Sequence, residues 1–406
     1  MATLDRNNPF QVQLFEKFIV DYLKEYLNNT QFSRFVGDAS SIIHKKTQAK
    51  GAGDTIIFPT RQTFMPVVRR GTEQLVGNEN EITLVTDEAR IDTLRFATRI
   101  TNEQLLEIQS KTNFDSQIRA DLLQQASLMN TKRTVSQFSL AFSPVTMANR
   151  GLVNYDFSYV ELNTLREGSG INANNPAGDA VSSERLMFGL DYWTNQATVG
   201  ETVDDANFTV ANGHTMSVKH ISKLFNLASV GGRSTTAFKE AAIRPYMVKS
   251  PHNGYTDNRY VLFVAPETYY HMRDNDAEWR AQVNRGVIEV THQPTELYGA
   301  AYKGSIEGVD VVIVNEFSNF ITTTGVGGTQ VAYSALCGAS AIGMAYGAIP
   351  QFKMDERDYG MHKGVAHEEI SGFKVLKYPS KNNPAIKGNN PLLIDNGIIH
   401  SFVKLT

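Results

Sequence analysis

The chain has 406 residues, too many for one ordinary compact core, so two or three lobes or one fold with large insertions are expected. With 41% hydrophobic and 20% charged residues it falls among ordered globular chains and not among disordered ones. The 39 basic residues against 42 acidic ones leave a net charge of -3, which gives no sign of a protein that grips nucleic acid by neutralising phosphates and opposes packing of like copies only weakly.

The first segment predicts an amphipathic helix. Asn8 is its cap and Pro9 its first residue, and Phe10, Leu14, Phe18, Tyr22 and Tyr26 recur at spacing four. Its apolar face can pack on the chain's own core or lie as an arm on a neighbouring copy; periodicity does not separate the two. After "KGAGD" a strand from Thr55 to Phe58 is expected to stop at Pro59, and a second pairing segment is expected from Glu81 through "ITLVTDEARIDTLRFATRI". The excursion between them carries Pro66, Arg69, Arg70, Gly71, Glu73 and Gly77 among scattered apolar residues. A two-stranded ribbon of that composition cannot fold alone and needs a partner surface.

Thr101 to Gln104 reads as a capping box. A longer helix follows from Asn113 or Asp115, with Ile118, Leu122, Ala126, Met129, Val135, Phe138 and Phe142 on one face, and is roughly 40 Å long if continuous. Residues 143–214 are rich in Asn, Gly, Ser and Asp and read as loops or a small inserted subdomain. A helix at "SVKHISKLFNLA", a buried strand, a proline and a short helix in "RYVLFVAPETYYHMRDNDAEW", and a turn bracketed by Gly304 and Gly308 before a strand at Val309–Val314 complete an α+β layout. The last forty residues offer strands in "GFKVLKY" and "GIIHSFVKL".

Signatures of chemistry are weak. Cys337, the single cysteine, excludes an intramolecular disulfide, fits a reducing cytoplasm, and in "SALCGASAIG" reads as a buried inert thiol. Apolar runs are strand-sized, which disfavours secretion and membrane insertion. The richest cluster holds Asp355, Glu356, Asp358, His362, His367, Glu368 and Glu369, yet His362 and His367 miss the helical i, i+4 metal spacing, so a polar loop with surface carboxylates is expected. His271 lacks a defined carboxylate partner and reads as structural. "GVGGT" and "GAGDT" lack the Gly-Lys-Ser/Thr end of a phosphate loop. Neither catalytic residues nor metal ligands are assigned, and no cofactor is expected. The residues point to a self-assembling structural protein: a core, a spine helix and two appendages that make sense against other copies.

"GDTIIFP", "ARIDTLRFA", "YVLFVAPETYYHMRDNDAEW", "GSIEGVDVVIV", "SALCGASAIGMAYG", "DYG" and "GVAHEEISGFKVLKY", in that order, resemble the major capsid proteins of phage N-four and its relatives, tailed bacteriophages. The resemblance implies the Hong Kong phage capsid fold. It makes residues 1–50 an N-terminal arm and 51–85 an extended loop crossing to a neighbour as a β-hairpin. Residues 86–150 become a peripheral domain with the spine helix Phe114–Phe142, and 151–214 an inserted, loop-rich subdomain. Residues 215–364 become the axial domain, and 365–406 supply C-terminal strands of the peripheral sheet. Contacts between copies are expected from Phe64, Met65, Val67, Arg69, Arg70, Glu73 and Leu75 on the loop, and from Phe10, Leu14, Phe18 and Tyr22 on the arm.

The implied partners are many copies of the same chain in hexamers and pentamers, a separate scaffolding protein, a portal protein and a decoration protein. Genome DNA would be enclosed without sequence-specific binding, no membrane is involved, and assembly would take place in the host bacterial cytoplasm. No fused scaffolding segment is expected before residue 50. Some shells of this fold are locked by isopeptide bonds from a loop lysine, and this chain has no lysine between Lys50 and Lys111, so non-covalent contacts are expected to hold the shell. The alternative within the same fold is the shell of a cellular encapsulating nanocompartment. A metal-dependent enzyme using residues 355–369 is the more distant rival.

Overall fold

The computed structural model describes residues 32–61, 84–101, 114–138, 185–188, 191–192, 215–231, 242–249, 256–281, 301–321, 330–357, 362–379 and 393–405. In chain order these hold β1 (Val36–Gly37), β2 (Ile43–Thr47), β3 (Thr55–Arg61), β4 (Leu84–Arg90), β5 (Asp92–Thr101) and helix α1 (Phe114–Phe138). Then come β6 (Leu186–Phe188), β7 (Asp191–Tyr192), α2 (Val218–Val230), β8 (Tyr246–Lys249), β9 (Thr256–Val264), α3 (Pro266–Asn275), β10 (Tyr302–Ile306) and β11 (Val309–Ile313). The series closes with β12 (Val331–Cys337), β13 (Ile342–Arg357), β14 (His362–Val375), β15 (Lys377–Pro379), β16 (Leu393–Asp395) and β17 (Ile398–Lys404).

Two sheets organise these strands. A five-stranded sheet has the order β1-β2-β13-β14-β5, and an eight-stranded one the order β10-β11-β9-β12-β17-β6-β7, with β8 on the flank of β9. The eight-stranded sheet is covered on both faces, which is why its central strands read as unbroken apolar runs. Along β9, Val261 and Phe263 enter one core while Leu262 and Val264 enter the other. The first core also takes Ile43, Ile342, Met344, Phe373 and Val375 from the five-stranded sheet, so one apolar layer joins the two sheets. The end of α1 plugs into this layer through Phe138, whose ring lies 5.2 Å from Phe317 and 6.1 Å from Phe263. The second core lies under α2, which Ser217 caps at its start and Gly231, at φ 82°, ends in the left-handed conformation.

Three local expectations change. Pro59 does not end its strand: β3 runs through it, because among the described residues β3 pairs with β4 alone and is an edge strand, where a proline without an N–H is tolerated. Residues 355–357 and 362–369 form no polar loop, since they continue β13 and β14 as paired strands. The two C-terminal strands also part company. β14 lies in the five-stranded sheet beside β5, whereas β17 pairs with β12 in the eight-stranded one, where Ile399 and Val403 fill the second core. The Thr101–Gln104 capping box beyond its first residue, and α1 past Phe138, lie outside the described residues.

The stretch 143–214 is tied into this frame at the places described. β6 adds in parallel to β17, Thr215 bridges to Lys404, and Met187 is fully buried. Arg185, 1% exposed, donates from Nε to the Asp395 carbonyl at 2.8 Å and from Nη2 to the Tyr378 hydroxyl at 3.3 Å. Beside it His400 links Tyr333 (Oη to Nδ1, 2.7 Å) to Asp395 (Nε2 to Oδ2, 3.1 Å). This chain of polar groups is sealed from solvent and braces β12, β16 and β17 against each other.

Burial alone would raise the pKa of Asp395. The hydrogen bond to His400, with Lys377 and Arg185 nearby, outweighs it and holds the carboxyl below its ordinary value of 3.8. A depressed carboxyl stabilises the fold above its unfolded value and loses that contribution as pH falls through the folded one. Asp395→Asn is therefore expected to lower the denaturation midpoint at neutral pH, with the gap from wild type closing as pH drops below about 4. Urea titrations across pH check this, and a gap that persists under acid would reject it.

Candidate assembly site

Strand β14 is held on its two faces by different elements, and side-chain alternation makes this possible. Glu369, Ser371 and Phe373 face α1. Arg133 of α1 donates from Nη1 to Glu369 Oε1 at 2.7 Å and to Ser371 Oγ at 2.8 Å, and its guanidinium lies 4.4 Å from the Phe373 ring centre. Neither charged side chain sees water: Arg133 is 2% exposed and Glu369 0%. His367 completes the group, 3.4 Å from Glu369 Oε2 and stacked at 4.6 Å on Phe96 of β5. One helical turn along, Gln137 Oε1 accepts from the Val375 N–H at 3.1 Å. The spine helix is thus registered on β14 by polar contacts at successive turns.

The opposite face carries the root of the β3–β4 hairpin. Ile56, Phe58, Ala89 and Ile91 are fully buried against Ala345 and Leu376. The two layers meet at glycines: a Cβ on Gly372 would lie 2.1 Å from the Arg90 carbonyl oxygen, and one on Gly347 would lie 2.5 Å from the Ile91 side chain. Gly343 likewise leaves room for Phe58. Any larger residue at these three positions would lift the hairpin off the sheet.

Four lysines then fix the hairpin. Lys46 Nζ donates to the Ile57 carbonyl at 2.8 Å and Lys50 Nζ to that of Thr55 at 2.5 Å. Lys374 Nζ reaches Asp87 Oδ1 at 2.9 Å and the Glu88 carbonyl at 3.0 Å, while the Lys377 N–H donates to Asp87 Oδ2 at 2.8 Å. Sequence reasoning missed this clamp. Its one legible signal was the pair Gly343 and Gly347, four residues apart in an otherwise apolar strand.

The loop residues Phe64, Met65, Val67, Arg69, Arg70, Glu73 and Leu75 and the arm residues Phe10, Leu14, Phe18 and Tyr22 lie outside the described residues. Of the enzyme-like cluster, Asp355 and Glu356 lie on β13, and His362, His367, Glu368 and Glu369 on β14. Asp358 lies outside the described residues. The expected surface carboxylates are corrected at Glu369, which is committed to Arg133 within the core. Glu368 does face outward, between Lys353 and Arg95. Cys337 is fully buried in β12 and burial pushes its thiol up, while burial pulls His271 on α3 down. No group of three or more potential metal ligands occurs among the described residues.

The fold has solved counterparts. A capsid chain of Ralstonia phage GP4 matches with a TM-score of 0.64 at 20% identity over 91% of this chain and 89% of that one. The cyanophage Pam1 capsid matches with 0.59 at 18% identity over 93% of both chains, and the head of Helicobacter pylori bacteriophage KHP40 with 0.56 at 14% over 93% and 91%. No curated protein matches the chain. The architecture is therefore the Hong Kong phage capsid fold, a fold of shell-forming subunits. The phage capsid protein family model matches residues 7–399, and the chain belongs to that family. It is a phage major capsid protein, a structural component of the virion shell.

Removing one partner of the buried Arg133–Glu369 pair strands a charge, which costs about 3–5 kcal/mol, whereas replacing both with apolar residues is close to neutral. Arg133→Ala is expected to destabilise the subunit by that amount, and Arg133→Met with Glu369→Met to recover most of it. Denaturant unfolding of the two variants measures the difference, and equal losses would show that the charges add nothing beyond packing.

Proposed function

We propose that residues 51–85 act as an extended loop that crosses to a neighbouring subunit, with Phe64, Met65, Val67 and Leu75 burying apolar surface there and Arg69, Arg70 and Glu73 setting register. The observation that supports this is the clamped root: glycines and lysines hold β3 and β4 rigidly on the sheet, as a lever that bears load requires. Residues 1–50 serve as the N-terminal arm, with Phe10, Leu14, Phe18 and Tyr22 against another copy. The five-stranded sheet with α1 is assigned to the peripheral domain and the eight-stranded sheet to the axial domain, which moves Ile398–Lys404 to the axial side.

In this reading the subunit contributes shape and contacts and performs no catalysis. Hexamers and pentamers form in the host bacterial cytoplasm on a separate scaffolding protein, meet a portal protein, accept a decoration protein and enclose the genome without reading its sequence. Many modest interfaces sum in a closed lattice. With no lysine between Lys50 and Lys111, the loop cannot supply the amine of an isopeptide bond, and its contacts are read as non-covalent.

Arg69→Glu with Arg70→Glu is expected to leave a folded subunit that no longer forms shells when expressed with its scaffold, as judged by negative-stain microscopy and sedimentation. Normal shells from this variant would remove the loop's assigned role. Deleting residues 1–30 is expected to impair assembly more than solubility; insoluble protein would place that segment in the subunit's own core.

A further inference from the structure

The register of the β3–β4 ladder fixes which main-chain groups face out of it. The Ile91 N–H donates to the Asp54 carbonyl at 3.0 Å, and hydrogen-bonded pairs alternate from there through Ile56–Ala89 and Phe58–Asp87. The main-chain groups of Thr55, Ile57 and Pro59 on β3, and of Glu88 and Arg90 on β4, therefore point away from the partner strand. On β3 the run Thr55-Ile56-Ile57-Phe58 is uncharged, β-branched and aromatic, and Ile57 is 43% exposed. A strand edge of that composition is a template on which strands of other copies can add.

The outward groups are already engaged. The Ile57 carbonyl accepts from Lys46 Nζ and the Thr55 carbonyl from Lys50 Nζ. Pro59, exposed at the next outward position, has no N–H to offer. On β4 the Glu88 carbonyl accepts from Lys374 Nζ at 3.0 Å, and the Arg90 carbonyl lies against Gly372 of the sheet beneath. An incoming strand would have to displace the ammonium groups or leave its own N–H groups without acceptors beside them. Both cost free energy.

We infer that Lys46, Lys50 and Pro59 guard the hairpin root against strand addition by a second copy. The lysines hold the hairpin on its sheet and at the same time close the edge that an apolar, uncharged strand would present to its neighbours. Copies are thereby kept from joining edge to edge through β3, a contact that would lead to open aggregates in place of a closed shell. The guard acts at the root whatever surface residues 62–83 meet, so it stands apart from the role proposed for the loop.

Pro59→Val restores an outward N–H and leaves the lysine contacts in place, which separates guarding the edge from holding the hairpin. It is expected to keep the wild-type unfolding midpoint while raising the rate at which purified subunits form thioflavin-binding aggregates about tenfold. In those aggregates residues 54–61 are expected to gain protection from hydrogen exchange. Adding Lys46→Met and Lys50→Met is expected to raise the rate further. Adding Lys46→Arg and Lys50→Arg, which keeps a donor at each carbonyl, is expected to leave it at the Pro59→Val level. A wild-type aggregation rate for Pro59→Val would overturn the guard, as would aggregates in which residues 54–61 exchange as fast as in the free subunit. Equal rates for the methionine and arginine pairs would remove the lysines from it. If the methionine variant fails to fold, Pro59→Val alone decides.

Discussion

The two-sidedness of β14 is the constraint on which the rest depends. Within one strand, Glu369, Ser371 and Phe373 hold the spine helix while Gly372 and Lys374 hold the hairpin root on the opposite face. A strand's period of two makes this possible without the two partners competing for the same side chains. A slip of one residue would turn Glu369 toward the hairpin and Gly372 toward Arg133, leaving a buried charge without its partner. The register of β14 is therefore set by incompatible chemistries on its two faces.

The same logic explains why buried charge is kept at this place. An ion pair sealed in a core adds little net stability, because desolvation offsets attraction. It does penalise every arrangement in which the partners fail to meet. Here that specificity fixes α1 and the β3–β4 pair on the two faces of β14. The Arg185, Asp395, His400 and Tyr333 group serves the eight-stranded sheet in the same way, fixing where β6 and β17 join. Both networks lie where elements distant in sequence converge, and the apolar layer between the sheets makes them one body.

Elements whose environment repeats along the chain were legible. β9 and α3 follow from "YVLFVAPETYYHM", because an apolar run followed by a proline at a first helical position fixes both locally. The helix from Phe114 follows from spaced apolar residues. The acidic cluster at 355–369 was misread because composition reports polarity but not depth: Glu368 and Glu369 are neighbours in sequence, one facing outward and the other sealed. Pro59 was misread as a stop because its tolerance depends on an open sheet edge, a property of the pairing.

By itself the sequence determined the class: an α+β chain of near-neutral charge with a spine helix, unbroken buried strands and a loop unable to fold alone, in blocks ordered as in a phage capsid protein. Propensity, periodicity and charge are local or summed quantities, and those suffice for such conclusions. Tertiary structure alone decided the partners. Arg133 and Glu369 are 236 positions apart, and Asp87 and Lys374 are 287 apart. A period tells which face of a strand is buried but not what covers it, so the clamp on β3 and β4 and the burial of Glu369 emerged only when the strands were paired.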